Sequence, residues 1–546
     1  MAHAGGFHGP RCWALSALCG VLLGVLVAVF VPAEWEEKGA ASGPVTSAVE
    51  GEAAVGGMPH VLEILPDGTR RALHGASVEE GHEEGEDPHV SHEPARKPVI
   101  PVFLLAPFGL LLLSIALMPF ISAKFWHAHY PDFAFLLGGF VAAYMLWAYG
   151  GYGQYKMSHV AIEYYQFMAL VVGLYIVSGA IVIDVGAKGR PLVNTLLLGV
   201  GAVIANVVGT TGASMLLIRP FMRINHGRLR PIHIVFFIFI VSNCGGCLTP
   251  IGDPPLYLGF MRGVPFFWTT FHLWKEWLFV CGLLLACFYV IDSRIPRAEP
   301  VVAPADAATA QGSRRVVSIT GTNGMLGLAV VVGAVFLDPL LARYAGYHGV
   351  PVGPALQIIT ALAVYLITDR ELYTRNRFTF EPAKEVGFLF VGIFCTMAPA
   401  LAYLAANGSK LGLESPTQYF FFTGFLSAAL DNAPTYLTFL QLAFSTIGLE
   451  VQPQTVLQFI ERSYLIDPGT PRELLVHGPT LLAAISLGAV FFGAGTYIGN
   501  GPNFMVKSIA EASGVRMPSF LGYLKYSALI LIPVLVAAWA LFIRAH

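Results

Sequence analysis

Two carboxylates stand where a carboxylate is costly. Asp253 lies in Ser242-Asn-Cys-Gly-Gly-Cys-Leu-Thr-Pro-Ile-Gly-Asp-Pro-Pro255 and Asp431 in Leu430-Asp-Asn-Ala-Pro434. Each interrupts an apolar stretch, and neither has a Lys or Arg within four residues. A charge so placed marks an ion or substrate path. Amide oxygens are at hand on Asn206, Asn243, Asn432 and Asn500, and hydroxyls on Thr249 and Thr496. Freed main-chain carbonyls are expected around Gly252 and Gly499, where Pro255 and Pro502 also break the helix. A carboxylate among amide and main-chain oxygens suits a hard cation such as sodium. The same carboxylate takes a proton, so the two cations compete, and competition gives exchange when only loaded states reorient. The structural alternative is that each Asp caps the N-terminus of a half-helix.

The surrounding chain must hold these groups in lipid. Of 546 residues, 55% are hydrophobic and 12% charged, about half the ~25% charged of a soluble domain. Mean hydropathy is +0.65. The class is a polytopic membrane protein, all-α, and a net charge of −2 gives no basic field for nucleic acid. The seven cysteines, Cys12, Cys19, Cys244, Cys247, Cys281, Cys287 and Cys395, lie in or beside apolar runs, which argues against a disulfide framework. Cys244 and Cys247 have CxxC spacing without a second pair, and read as small residues beside a backbone break. There is no catalytic triad, HExxH or P-loop, so no catalytic residue, enzyme activity or resident metal is expected.

Residues 1–32 read as a signal peptide, cut near Ala33, or a signal anchor. Residues 33–98 form an extracytoplasmic loop with fourteen of the 34 acidic residues and five histidines. Its tract Val78–Glu93 reads as solvated and mostly disordered, with metal gathering as the sharper alternative. Residues 60–70 suit a small hairpin around Asp67-Gly68.

Apolar runs of spanning length fall at 99–122, 133–150, 160–185, 277–293, 317–340, 353–368, 385–406 and 519–543. Four more are interrupted: 192–222 at 206–212, 231–262 at 242–255, 417–446 at 431–434, and 479–506 at 493–502. Such breaks survive only where protein or a watery cavity satisfies the backbone. If 192–222 crossed fully, Arg219, Arg223, Arg228 and Arg230 would lie outside, against the positive-inside rule. A re-entrant hairpin keeps them inside, and a second hairpin at 417–446, entering from outside, makes the rule hold for the rest. A shift of 247 lays Gly246, Thr249, Ile251, Gly252 and Pro255 on Gly493, Thr496, Ile498, Gly499 and Pro502. A shift of 226 lays Asn206 on Asn432. The expected organisation is two inverted repeats, each with a re-entrant hairpin and a discontinuous transmembrane helix. Accessory helices occupy 99–159, repeat 1 occupies 160–293, a cytoplasmic linker 294–316, and repeat 2 with flanking helices 317–546. Glu163, Asp184 and Asp338 read as interfacial, Glu276 as an anchor between Trp274 and Trp277, and His127 and His129 as residues of a cytoplasmic turn.

These motifs resemble the ion transporter superfamily, whose helix break is written SN-GG-…-IGDPPN and whose hairpin tip is DN-P. The likeness covers roughly 99–543 and is greatest to NhaD-type sodium:proton antiporters and citrate transporter-like proteins. This chain departs from it in Leu256, where relatives have Asn after the double proline, and in Ala205, where some carry Asp. The resemblance implies a secondary transporter of the inner (plasma) membrane working by alternating access. The site residues favour sodium:proton antiport, and a sodium- or proton-coupled citrate or carboxylate carrier is the alternative. No cofactor is expected beyond the transported Na⁺ and H⁺. Expected partners are the lipid bilayer, small cations and, as a candidate, a second copy of the chain in a homodimer.

Overall fold

The computed structural model describes residues 11–30, 34–36, 62–64, 70–72, 97–296, 317–347, 349–446, 451–461 and 478–544. Residues Glu34–Val99 make one compact unit and the remainder another. In the smaller unit Glu34–Glu36 pairs antiparallel with Lys97–Val99, and Leu62–Ile64 with Arg70–Ala72. The second pairing is the hairpin expected near 60–70, extended to Ala72. The acidic tract Val78–Glu93, the cleavage point near Ala33 and most of the linker 294–316 lie outside the described residues.

The larger unit is helical. Its helices are α1 (Arg11–Phe30), α2 (Leu105–Ala148), α3 (Gly150–Gly179), α4 (Pro191–Ile224), α5 (Pro231–Ile240), α6 (Pro254–Met261) and α7 (Trp268–Ser293). Then follow α8 (Thr322–Ala345), α9 (Gly353–Ile367), α10 (Arg370–Arg375), α11 (Glu381–Asn407), α12 (Pro416–Ala429) and α13 (Asn432–Thr446). The series closes with α14 (Pro453–Glu461), α15 (Gly478–Gly493), α16 (Gly501–Ala512) and α17 (Phe520–Ile543). Among the described residues, eight helical runs are long and apolar enough to cross a membrane. The chain is a multi-pass membrane protein.

The runs expected at 99–122 and 133–150 form one helical element whose backbone leaves helical geometry at Ser122 (φ −156°, ψ 92°). The rings of Phe103 and Tyr144 are 5.5 Å apart, whereas a straight helix would separate them by ~60 Å. The chain therefore reverses at Ser122. His127 and His129 lie on helix rather than in a turn, with His129 against Asp132 at 2.9 Å. The segment 151–159, expected as a connection, is helical, because Gly150 (φ 51°) turns the chain and α3 starts at once. The run expected from 317 begins at 322, since Val317–Thr320 pairs as a strand with Val182–Val185. Asp184, in that second strand, bridges Arg223 (2.8 Å) and Arg375 (2.6 Å).

Two helical pairs double back. In α4 the reversal is Gly209, at φ 78° and ψ 156°, which a Cβ disfavours. The amide of Gly189 donates to Ile224 O at 2.8 Å, so the two ends of α4 meet. In the second pair, α12 ends at Ala429, Leu430 leaves helical geometry, and α13 starts at Asn432. The rings of Tyr419 on α12 and Phe439 on α13 are 6.2 Å apart, so the two helices run back along each other. Breaks also separate α5 from α6 and α15 from α16. Apolar but for His233, α5 is enclosed by protein: the run Pro231–Leu248 is 83% buried, against 22% of the apolar stretch in α8.

Candidate functional site

Four helix starts converge on Asp253. This residue is the N-cap of α6, extended and wholly buried, yet its carboxylate does not cap its own helix. Its Oδ1 accepts from Thr210 Oγ1 at 2.7 Å and from Asn500 Nδ2 at 2.9 Å. Its Oδ2 accepts from Asn432 Nδ2 at 2.6 Å. Thr210 opens the second half of α4, Asn432 opens α13, and Asn500 is the N-cap of α16. Main-chain N–H groups at a helix start lack intrahelical partners and carry partial positive charge. All three side-chain partners of Asp253 are neutral. Asn432 Oδ1 is buried and has no hydrogen-bond partner among the described residues.

The other sequence candidates divide by role. Asp431 sits at the second reversal, half-buried, and accepts from Ala433 N at 3.2 Å, as a cap does. Asn243 accepts from Asn500 and donates to Asn503 Oδ1 at 2.6 Å, joining the two breaks directly. Asn206 is not at the reversal but three residues before it. Its amide is spent on backbone, donating to Ala202 O and Gly245 O and accepting from Leu248 N. Thr249 Oγ1 donates to Asn206 O and accepts from Gly252 N, while Thr496 Oγ1 donates to Ala428 O and accepts from Gly499 N. The two breaks thus follow one local path. A Cβ on Gly246 would lie 2.7 Å from Gly252 O, and one on Gly499 2.6 Å from Gly493 O. Pro255 and Pro502 occupy the first turns of α6 and α16, where a missing N–H costs nothing. Trp277, expected at a membrane interface, instead donates to Gly245 O at 2.9 Å and supports the first break. Glu163 pairs with Arg262 at 2.9 Å, and Asp338 accepts from Val352 N at 2.7 Å ahead of α9. Among the described residues no group of His, Cys, Asp and Glu is placed to hold a metal.

Three site residues escape the sequence reading. Thr210 is recognisable only once Gly209 is known to be the reversal. Asn503 donates to Gly493 O and Thr496 O; the 247 shift lays it on Leu256, the position where relatives have Asn, which was its available signal. Ser178 on α3 is buried with a hydroxyl that has no hydrogen-bond partner among the described residues, and a Cβ on Gly212 would lie 3.0 Å from it. It faces the first turn of the second half of α4. A groove of about 40 Å³ lies there, lined among others by Leu174, Thr211, Gly212 and Tyr257.

The other end of α4 is tied down by a second buried cluster. Asp292, at the end of α7, accepts from Arg228 (2.7 Å), His233 (2.9 Å) and Asn194 (2.8 Å). Asn194 and Asn225 exchange amide hydrogen bonds at 2.8 and 2.9 Å, clasping the two ends of α4.

Interrupted helices whose starts meet at a buried carboxylate, inside a multi-pass membrane fold, define a class of solute carriers. The chain belongs to the family described as "Putative citrate transport", whose model matches residues 97–543. No curated protein matches it. The family match favours the carboxylate alternative over sodium:proton antiport.

Proposed function

We propose that the chain is a secondary transporter that carries citrate or a similar carboxylate, together with a cation, across the plasma membrane by alternating access. The carboxylate in this reading rests on the family match over residues 97–543, and the cation on the convergence of four helix starts on a carboxylate with only neutral side-chain partners. Sodium or a proton would sit at Asp253, with the unpartnered Asn432 Oδ1 as a further ligand. The substrate carboxylate would meet the first turn after Gly209 and the Ser178 hydroxyl. Coupling then follows from Coulomb's law. An unneutralised Asp253 would repel a carboxylate ~5 Å away by roughly 3 kcal/mol at an effective dielectric of ~20, which is about a hundredfold in affinity. The groove of about 40 Å³ admits a water or an ion, well below the ~300 Å³ of a small-molecule site. Substrate entry would require α3 and α4 to part.

The deciding assay is uptake into proteoliposomes under imposed sodium or proton gradients, beside salt-induced proton flux without citrate. Citrate uptake driven by either gradient supports the proposal. Sodium-induced proton flux in the absence of any carboxylate would favour antiport, a reading supported by the lack of basic partners at Asp253. Ser178→Ala should raise the KM for citrate by about tenfold, the worth of one hydrogen bond to a charged group, and leave kcat less affected. An unchanged KM would remove Ser178 from the site.

The same proposal takes the two doubled-back pairs as re-entrant hairpins entering from opposite faces, within inverted repeats over 160–293 and 317–546. The base of α4, rich in arginine, is then cytoplasmic. Asn225 is buried in the clasp, so His226, which is exposed, is the position to probe. In a cysteine-free background, His226→Cys should resist an impermeant reagent added to whole cells, and ready labelling would overturn this topology.

A further inference from the structure

A seam of polar side chains runs inside the second doubled-back pair. On α12, Tyr419, Thr423 and Ser427 recur every fourth residue and share one face. On α13, Asn432, Tyr436 and Thr446 share another, and α15 adds Ser486. Tyr419, Thr423, Ser427, Asn432 and Ser486 are each fully buried. Ser427 donates to Ala489 O at 2.6 Å. Among the described residues, Thr423 Oγ1 and Asn432 Oδ1 have no hydrogen-bond partner, while Tyr419 Oη and Ser486 Oγ have only the loose contacts with Thr446 and Tyr436. The Thr446 hydroxyl donates to Ala443 O, which leaves its lone pairs to face Tyr419 Oη. Buried hydroxyls left dry are strongly disfavoured, and ordered water is what commonly satisfies them.

The first pair carries fewer such groups. Aligning Thr210 with Asn432, the residues that follow each reversal, lays Tyr419, Thr423 and Ser427 on Leu197, Gly201 and Ala205. The 247 shift lays Ser486 on Phe239. At the same alignment Tyr436 falls on Ser214, whose hydroxyl meets that of Ser242 at 2.7 Å, but the other four positions are apolar in the first half, so those hydroxyls are not needed to build the fold.

We infer that this seam is a hydrated track conducting protons from the open end of the second pair, at Tyr419 and Thr446, to the carboxylate of Asp253 at its tip. The ligand is water, held in file by hydroxyls that both donate and accept. An excess proton enters on the outermost water. Each water or hydroxyl releases one proton onward as it accepts the next, and the last transfer forms a neutral acid at Asp253, beside Asn432. Reversal returns the proton, and no electron is transferred. The proton's purpose rests on the coupled transport proposed above, whereas the presence of water does not.

X-ray hydroxyl-radical footprinting of the full chain in nanodiscs tests the water directly. Tyr419, though buried, should be labelled at a rate like that of exposed Tyr155, while Tyr523, buried and donating to Ala494 O, should stay unlabelled. The near-isosteric double variant T423V/S486A should quench labelling at Tyr419. It should also slow proton-driven citrate uptake by about tenfold, the order expected for losing a relay hydrogen bond, with citrate affinity and melting temperature preserved. The control T423S should restore both. An unlabelled Tyr419 in the parent protein would show a dry seam and overturn the inference. Quenched labelling with unchanged proton-driven uptake would leave structural water and overturn the proton role. If the parent protein moves no citrate at all, the transport reading fails while the labelling result still decides whether the seam is wet.

Discussion

Asp253→Asn is expected to reduce cation-coupled uptake by ~100-fold or more, the factor that roughly 3 kcal/mol of lost cation attraction represents, with folding retained. The carboxylate accepts three hydrogen bonds and donates none. An asparagine with its oxygen toward Thr210 and Asn500 keeps two of them. Its NH₂ then faces Asn432, whose amide can turn and present the Oδ1 that now lacks a partner. The hydrogen-bond loss is thus small, and a desolvated charge is removed, so stability should hold or rise. Asp431→Asn should be much milder, because Asp431 serves α13 as a cap and Asn caps as well as Asp. Uptake in proteoliposomes with a melting curve in detergent separates the outcomes. Parent-like uptake by Asp253→Asn would take Asp253 out of the mechanism, and loss of both uptake and folding would make its role structural.

The largest effect on stability should come from Asp292→Ala. Asp292 is fully buried against Arg228, His233 and Asn194. Removing it strands a guanidinium that is 7% exposed, and breaking a buried pair from one side costs about 3–5 kcal/mol. Asn194→Ala should cost less, about 1–3 kcal/mol, since it unpairs the neutral Asn225 amide. The check is the melting temperature of purified protein. A midpoint unmoved by Asp292→Ala would mean that the cluster does not hold the base of α4.

The interrupted helices were legible because glycine and proline announce them. The breaks before Asp253 and Asn500 fall where the sequence places them, and the coincidences at a shift of 247 correspond to matching threonine and glycine contacts. The reversal of α4 was legible only as a region. Gly209 and Gly212 look alike in sequence, and only the backbone shows which takes positive φ. Four residues are one helical turn, so the 226 shift paired Asn206 with Asn432, whereas the residue that meets Asp253 from the first half is Thr210. The weight of the two acids was not legible either. Both lie at helix starts, and whether a carboxylate caps its own helix or reaches across to another depends on what the other half of the chain brings. Ser178 and the Asp292 cluster were hidden for a similar reason, because their partners are distant in sequence.

The partners of Asp253 bear on how the protein is made. Two of them arrive late: Asn432 and Asn500 lie 179 and 247 residues further along the chain. At ~5–20 residues per second of synthesis, Asp253 waits on the order of 10–50 s for Asn500. During that interval the nascent first half holds an acid whose amide donors do not yet exist, in a segment destined for lipid. The first half therefore cannot complete its own centre, and chains arrested before Asn432 should be recognised as unfinished and degraded. Nascent-chain maturation is thereby coupled to the last broken helix.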